Sequence, residues 1–163
     1  AFSILTVVFC FFLLSSPVKA MNYNDWIPLL PGSMDGLDKS GQPQGMNMQS
    51  GQGEWSTLKQ AYSDGSRDIK ITIVSGSSAP QIQSFERMPQ FNMENEEKIV
   101  KSTEAAGRKA LLELSKRDGS GQLVISAGDQ TIVVIEAEPA HSAEAMISLA
   151  EKLPLSEIAA KTQ

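Results

Sequence analysis

The chain of 163 residues has little of the chemistry on which most enzymes depend. It contains a single cysteine, Cys10, and a single histidine, His141. Histidine supplies most proton transfer near neutral pH, but His141 stands at an expected helix start, where we interpret it as an exposed loop residue. No G-x-S-x-G, H-E-x-x-H, Walker or glycine-rich dinucleotide motif occurs. We therefore expect a protein that is not an enzyme, with an unrecognised hydrolase as an alternative.

Positive charge is also scarce. Lysine and arginine number 14 against 19 aspartates and glutamates, and the formal net charge is −5. A negative surface repels the phosphates of nucleic acids and of anionic lipids. We therefore expect no nucleic-acid partner.

Only one long apolar run is present, from Phe2 to Leu14. It is shorter than the roughly 20 residues that a membrane-spanning helix needs, and it fits the apolar core of a signal peptide. Val18 and Ala20 stand at the −3 and −1 positions of a small-residue cleavage site. We predict a signal peptide over residues 1–20, cleavage after Ala20, no membrane span after cleavage, and a periplasmic or secreted location.

The sequence leaves two alternatives to this leader. The chain begins at Ala1 without a methionine or a basic cluster, so Met21 could be the true start. Cys10 could also be acylated, but the bulky Phe9 and Phe11 beside it disfavour a lipoprotein site. Since the only cysteine lies in the leader, the mature chain must be stabilised by packing rather than by disulfides.

The mature chain divides by composition at residue 54. Residues 23–31 form a short apolar patch around Trp26, bracketed by Pro28 and Pro31. Residues 32–53 are rich in glycine, serine, glutamine and asparagine, a composition that does not bury enough surface to order itself. We expect residues 21–53 to be an apolar patch plus a flexible linker, followed by a single α+β domain over residues 54–163.

The strongest structural signals are two predicted hairpins. Ile69, Ile71 and Ile73 alternate with polar or smaller residues over 68–75, which is typical of a strand with one buried face. Asp64-Gly65 separates this strand from a candidate strand at 54–62, and Asp-Gly is a strong hairpin signal. A second hairpin is predicted from strands 122–127 and 131–138, turned by Gly128-Asp129.

Helices are predicted around these hairpins. Pro80 fits the first position of a short helix, and Ser142 fits the N-cap of a helix over 143–153. Pro154 ends that helix, and Ser156 can cap a last short one. Residues 97–115 are ambiguous, because their composition favours helix while Gly107 can also join two strands at 97–105 and 108–115.

Three features together resemble a group of small exported bacterial proteins of uncharacterised function. They are the Leu30-Pro31-Gly32 entry, the Tyr62-Ser63-Asp64-Gly65 turn, and a closing strand pair followed by a helix. In such proteins the segment matching Gly107-Arg108-Lys109-Ala110 is a strand junction, which favours strands at 97–115. Where relatives commonly carry an acidic residue after the second strand, this chain has Ser75-Gly76.

The predicted fold is therefore α+β: an antiparallel sheet of about five or six strands, with a C-terminal helix packed on one face and the other face towards water. Trp26 and Trp55 are candidates for lining a ligand groove, although large aromatics are more often core anchors. Met34, Met46 and Met48 lie in the expected linker, where thioethers can bind Cu(I), or where methionine is merely tolerated.

These observations lead to one functional expectation and two alternatives. We expect an exported, non-enzymatic binding or accessory protein of the cell envelope, with an unidentified protein or small-molecule ligand and no cofactor. One alternative is a periplasmic copper-handling protein that uses Met34, Met46 and Met48. The other is the unrecognised hydrolase.

Overall fold

A computed structural model describes residues 22–162, and the predicted signal peptide lies outside them. Within these residues, nine strands form one antiparallel sheet in the order β1-β2-β3-β4-β9-β8-β7-β6-β5. The strands are β1 (Ser33–Met34), β2 (Leu37–Ser50), β3 (Gly53–Ser63), β4 (Asp68–Ser75), β5 (Asn92–Glu94), β6 (Lys98–Ala105), β7 (Arg108–Ser115), β8 (Gly121–Gly128) and β9 (Thr131–Glu138). The helices are a 3₁₀ helix (Tyr23–Leu29), α1 (Pro80–Arg87), α2 (Ala143–Glu151) and α3 (Leu155–Ala160).

Both predicted hairpins are confirmed. β3 pairs with β4, and their turn is held by the Asp64 carboxylate, which accepts from the backbone N–H of Ser66 at 3.0 Å and of Arg67 at 2.9 Å. These bonds hold the pKa of Asp64 well below its usual range. β8 pairs with β9, and β9 also pairs with β4, so the two hairpins join at the centre of the sheet.

Residues 97–115 form strands, as the resemblance implied. β6 and β7 pair from Lys98 opposite Ser115 to Ala105 opposite Arg108. The turn between them uses Ala106 and Gly107, which have φ angles of 51° and 70°. Pairing of β7 with β8 then continues the sheet, so tertiary pairing overrides the helical propensity of this segment.

The expected flexible linker is ordered and forms β1 and β2. β2 pairs with β3 from Asp38 to Ser50, with an irregularity between Ser40 and Gln44. Nearly all its side chains are exposed, so its sequence lacks the alternation that marks a half-buried strand. With β1, β2 and the short β5 added to the six strands expected, the sheet has nine rather than five or six.

One face of the sheet, called here the covered face, carries the main core. Alternate residues such as Ile71 and Ile135 point into it and are fully buried. The 3₁₀ helix, α2 and α3 pack over these side chains. The prediction that a C-terminal helix lies on one face is thus confirmed.

Of the N-caps predicted for the two C-terminal helices, the structure has one as predicted. Ser142 is the N-cap of α2, and its hydroxyl accepts from Ala145 N–H at 3.1 Å. α3 begins at Leu155 with Pro154 as its N-cap, rather than with Ser156. The Ser156 hydroxyl instead accepts from the Arg108 guanidinium at 2.9 Å.

The opposite face was expected to face water, and it is covered only in part. Ile82 and Phe85 of α1 pack with Ala79 against Val74 of β4 and Ile132 of β9. We call this side the open face. Residues 22–162 include no helix that is both long enough and apolar enough to cross a membrane.

Candidate functional site

The open face beside α1 exposes an apolar cluster on β2 and β3. Met48 pairs with Trp55, and Met46 pairs with Thr57, so these side chains lie on the same side of neighbouring strands. Met46 is 42% exposed and Met48 is 40% exposed, whereas Trp55 is half-buried against α1 and its neighbours. We call Met46, Met48 and Trp55 the apolar patch.

A groove of about 540 Å³ begins at the apolar patch and crosses the open face. Its floor is formed by side chains of β3, β4 and β9, and Gln81 of α1 stands on one side. The residues that line it are Gln44, Gly45, Met46, Trp55, Thr57, Lys59, Lys70, Thr72, Val74, Gln81, Val134 and Glu136. The groove therefore offers an apolar end and a floor that becomes polar towards β9.

A second groove, of about 430 Å³, shares Lys70 and Glu136 with the first and is lined mainly by acidic and polar side chains. These side chains belong to Asp68, Lys70, Glu113, Ser115, Ser120, Gln122, Glu136 and Glu138. The Lys70 ammonium contacts Glu136 Oε2 at 2.8 Å where the two grooves meet. The open face therefore runs from the apolar patch to an acidic end.

Stability alone does not account for the charges at the acidic end. Asp68 and Glu138 are direct cross-strand partners, and like charges in that position destabilise a sheet. Glu136, Gln122 and Glu113 lie in one row across β9, β8 and β7, and Glu113 is also paired with Lys98 at 3.0 Å. Acidic side chains outnumber the lysines here, so the potential favours a cation.

The structure separates the two tryptophans proposed as ligand contacts. Trp55 lines the groove of the open face. Trp26 is fully buried on the covered face, where its indole N–H donates to the carbonyl of Ile158 at 3.3 Å. Trp26 therefore anchors the 3₁₀ helix to α3 and does not line an open groove, because the apolar side chains of residues 23–31 around it pack in the main core.

The three methionines proposed to bind Cu(I) are also separated. Met34 is fully buried on the covered face, whereas Met46 and Met48 are exposed on the open face. A single site formed by all three thioethers is therefore not assembled within the described chain. Among residues 22–162, no group of three or more histidine, cysteine, aspartate or glutamate side chains is placed to hold a metal ion.

A smaller cleft of about 130 Å³ contains the only histidine. Asp35, Arg67, His141 and Ser148 line it, between the β1–β2 turn and α2. Asp35 and His141 both have positive φ angles, of 52° and 45°. The hydrogen bond from Lys152 to Asp35, with the charges of Lys152, Arg67 and His141, lowers the pKa of Asp35.

This cleft does not present a nucleophile with its base. The Ser148 hydroxyl donates to the carbonyl of Ala145 at 2.8 Å, so its proton is directed to the helix backbone. Asp35 is bound by Lys152 and lies 3.7 Å from Arg67, and a carboxylate with a lowered pKa is a weak base at neutral pH. His141 is exposed, as expected for a residue just before a helix N-cap.

The acidic end of the open face was not identified from the sequence. Lys70 and Glu136 alternate with buried branched residues, and polar residues in such strands are usually solvated. Their meeting depends on the pairing of β4 with β9, which lie far apart in the chain.

Comparison of the chain with protein-family models, with curated proteins and with solved structures finds no match.

Proposed function

We propose that the protein is an exported, non-enzymatic binding protein of the cell envelope, and that its ligand lies on the open face. The observation that carries this proposal is that Met46 and Trp55, with Met48 paired beside Trp55, lie at one end of a groove that continues into an acidic one. Ligand sites combine apolar walls with a few polar groups that fix orientation. The location rests on the sequence alone, through the signal-peptide pattern of residues 1–20.

The chemistry of the two grooves defines the ligand class. The apolar patch would contact a hydrocarbon or aromatic group, while the acidic end would contact a cationic group such as an ammonium. Asp68 and Glu138 support this, because a bound cation relieves their repulsion across the strands. The ligand is therefore an amphipathic molecule, or a peptide side chain of the same character, with one positive charge near an apolar part.

Two probes that share a decyl chain and have headgroups of opposite charge test this proposal. Decyltrimethylammonium and decyl sulfate would be titrated below their micelle concentrations, with binding followed by calorimetry and by tryptophan fluorescence. We expect the cationic probe to bind at least about tenfold more tightly, which corresponds to about 1.4 kcal/mol. Equal affinity for the two probes would contradict the proposal.

Matched variants locate the binding surface. Trp55→Ala and Glu138→Gln should each weaken binding of the cationic probe by about tenfold or more, or about 1.4 kcal/mol. Phe91→Ala is the apolar control, because Phe91 is 43% exposed but lines neither groove. Glu151→Gln on α2 is the charge control. Loss of binding in the controls as well would show that the probe does not use the open face.

Export requires a separate test. Protein recovered from the envelope fraction should have the intact mass of a chain that begins at Met21. Recovery of the protein only from the cytoplasm would exclude the proposed location while leaving the binding surface unaffected.

A further inference from the structure

The two edges of the sheet differ in how they are protected against pairing. At one edge β5 has only three residues, and its Glu94 is bound by Lys116 at 2.7 Å. At the other edge β2 has 14 residues, and β1 pairs only with its first two. Short strands and charged side chains protect edges, so the β5 edge is protected and most of the β2 edge is not.

The unprotected part of β2 runs from Gln44 to Ser50. Pro43 and the irregularity before Gln44 interrupt the strand on one side. From Gln44 onwards every residue pairs regularly with β3. No other strand of the described residues pairs with the outer edge of this part.

The hairpin geometry determines which backbone groups face outwards. The turn between β2 and β3 has two residues, so Ser50 and Gly53 form a hydrogen-bonded pair, and such pairs alternate along the ladder. Gly45, Asn47 and Gln49 therefore belong to the pairs that do not bond within the hairpin. Their N–H and C=O groups point away from β3, ready for another strand.

The absence of charge on this part of β2 indicates which partner strand fits its outer edge. Between Lys39 and Glu54 there is no ionisable side chain, although the chain as a whole has a net charge of −5. Two copies of an acidic protein repel each other over most of their surfaces, whereas two copies of this segment meet without like charges. A partner of opposite charge would gain nothing from a neutral edge.

We propose that the segment Gln44–Ser50 pairs with the same segment of a second copy of the chain, antiparallel and about a two-fold axis at Asn47. This axis places Asn47 opposite its counterpart and Gly45 opposite Gln49 of the other copy, so all the outward backbone groups are bonded. It also places Met46 opposite Met48 of the other copy. The thioethers of the two copies then pack side by side, and the open faces of the two copies lie on the same side of one continuous sheet.

The proline variant Gln49→Pro tests the pairing at its backbone. Proline is tolerated at an edge position whose N–H faces outwards, but it removes that N–H. Gln49→Ala is the control, because it loses the same side-chain bond to Glu54 and keeps the N–H. Sedimentation equilibrium should show a concentration-dependent dimer for the wild type and for Gln49→Ala, and at least about a tenfold higher dissociation constant for Gln49→Pro.

A second variant covers the case in which Gln49→Pro does not fold. The double variant Met46→Lys, Met48→Lys would bring two positive charges from each copy, four in all, together at the axis. Both positions are exposed, so the core is unchanged, and the variant should be folded by circular dichroism and monomeric by sedimentation. A wild type that stays monomeric at high concentration, or a folded Gln49→Pro that dimerises like Gln49→Ala, would overturn the proposal. Slow amide exchange of Gly45, Asn47 and Gln49 in a monomer would do so too, because it would mean that the chain covers its own edge.

Discussion

The two faces of the sheet contain the same kinds of large side chain in opposite environments. On the covered face Trp26 and Met34 are fully buried. On the open face Met46 and Met48 are about two-fifths exposed, and Trp55 lines a groove. Residue type alone thus does not distinguish a core anchor from a surface contact; the difference lies in which strands and helices reach each face.

The largest expected effect comes from truncating one tryptophan on each face. Trp26→Ala should lower the free energy of unfolding by about 3–5 kcal/mol, because it leaves a cavity and removes a buried hydrogen bond. Trp55→Ala should lower it by about 1 kcal/mol, since less of that side chain is buried. Urea unfolding of both variants measures the difference between these two losses of stability. Trp26→Phe replaces Trp26→Ala in the comparison if Trp26→Ala does not fold. Similar losses at the two positions would show that the faces are equally packed.

The methionines allow the same comparison with a smaller side chain. Met34→Ala should cost about 2–5 kcal/mol, as is usual for a buried methionine. Met46→Ala should change the free energy of unfolding by no more than about 0.5 kcal/mol, as at exposed positions elsewhere. If Met34→Ala were neutral in chemical denaturation, β1 would not contribute to the core.

Glycine substitutions test how β2 is held to the covered face. The ring of Tyr23 packs against Gly45 so closely that a Cβ atom there would overlap it. Gly45→Ala should therefore cost about 1–3 kcal/mol, because the ring must move. Gly51→Ala is the matched control in the adjacent turn, where an added Cβ meets no atom within 4 Å. Thermal unfolding that gives the same midpoint for both variants would contradict this packing.

A pH-dependent effect is expected from Tyr62 on the covered face. Burial raises the pKa of Tyr62 to about 12, and its hydroxyl donates to the carbonyl of Pro31 at 2.9 Å. The unfolded chain releases this proton near pH 10 and the folded chain near 12. The contribution of Tyr62 to stability is thus complete below pH 10 and is lost as the pH rises towards 12.

The Tyr62→Phe variant isolates this contribution. At neutral pH it should lose about 0.5–1.5 kcal/mol, the usual worth of one hydrogen bond. Between pH 10 and 12 its stability should fall less steeply than that of the wild type in denaturant titrations. Parallel curves would mean that Tyr62 ionises equally in the folded and unfolded chains.

The strands that were predicted share a buried face, and those that were missed do not. β4 could be predicted because its buried residues Ile69, Ile71 and Ile73 alternate with less buried ones, as a strand with one face in the core requires. β2 is exposed on both sides and carries no such mark, so its composition resembled that of a linker. The Leu30-Pro31-Gly32 and Tyr62-Ser63-Asp64-Gly65 motifs lie far apart in the sequence, and the hydrogen bond from the Tyr62 hydroxyl to the Pro31 carbonyl joins them in the fold.

Three of the five residues named from the sequence as candidate contacts lie together on the open face. Trp55, Met46 and Met48 were named from the sequence, and the β2–β3 pairing brings them together. Trp26 and Met34 were named on the same grounds, but they belong to the core. The acidic end could not be foreseen, because Asp68 meets Glu138 only through strand pairing across about half of the chain.

The polar contacts of β2 also decide which of several alignments the chain adopts. Leu37 at the start of β2 belongs to the core, but the part of the strand from Gln44 onwards has no buried side chain, so it could slide along β3 without moving a side chain into or out of the core. Asn47 accepts from Ser56 Oγ at 2.9 Å and from Tyr23 N–H at 3.0 Å, and the buried amide of Gln60 donates to Gly41 O at 3.3 Å. A slip of one residue would turn Asn47 to the other side and break these bonds together. These bonds therefore select one alignment of β2 with β3. They contribute more to the uniqueness of the fold at this edge than to its stability.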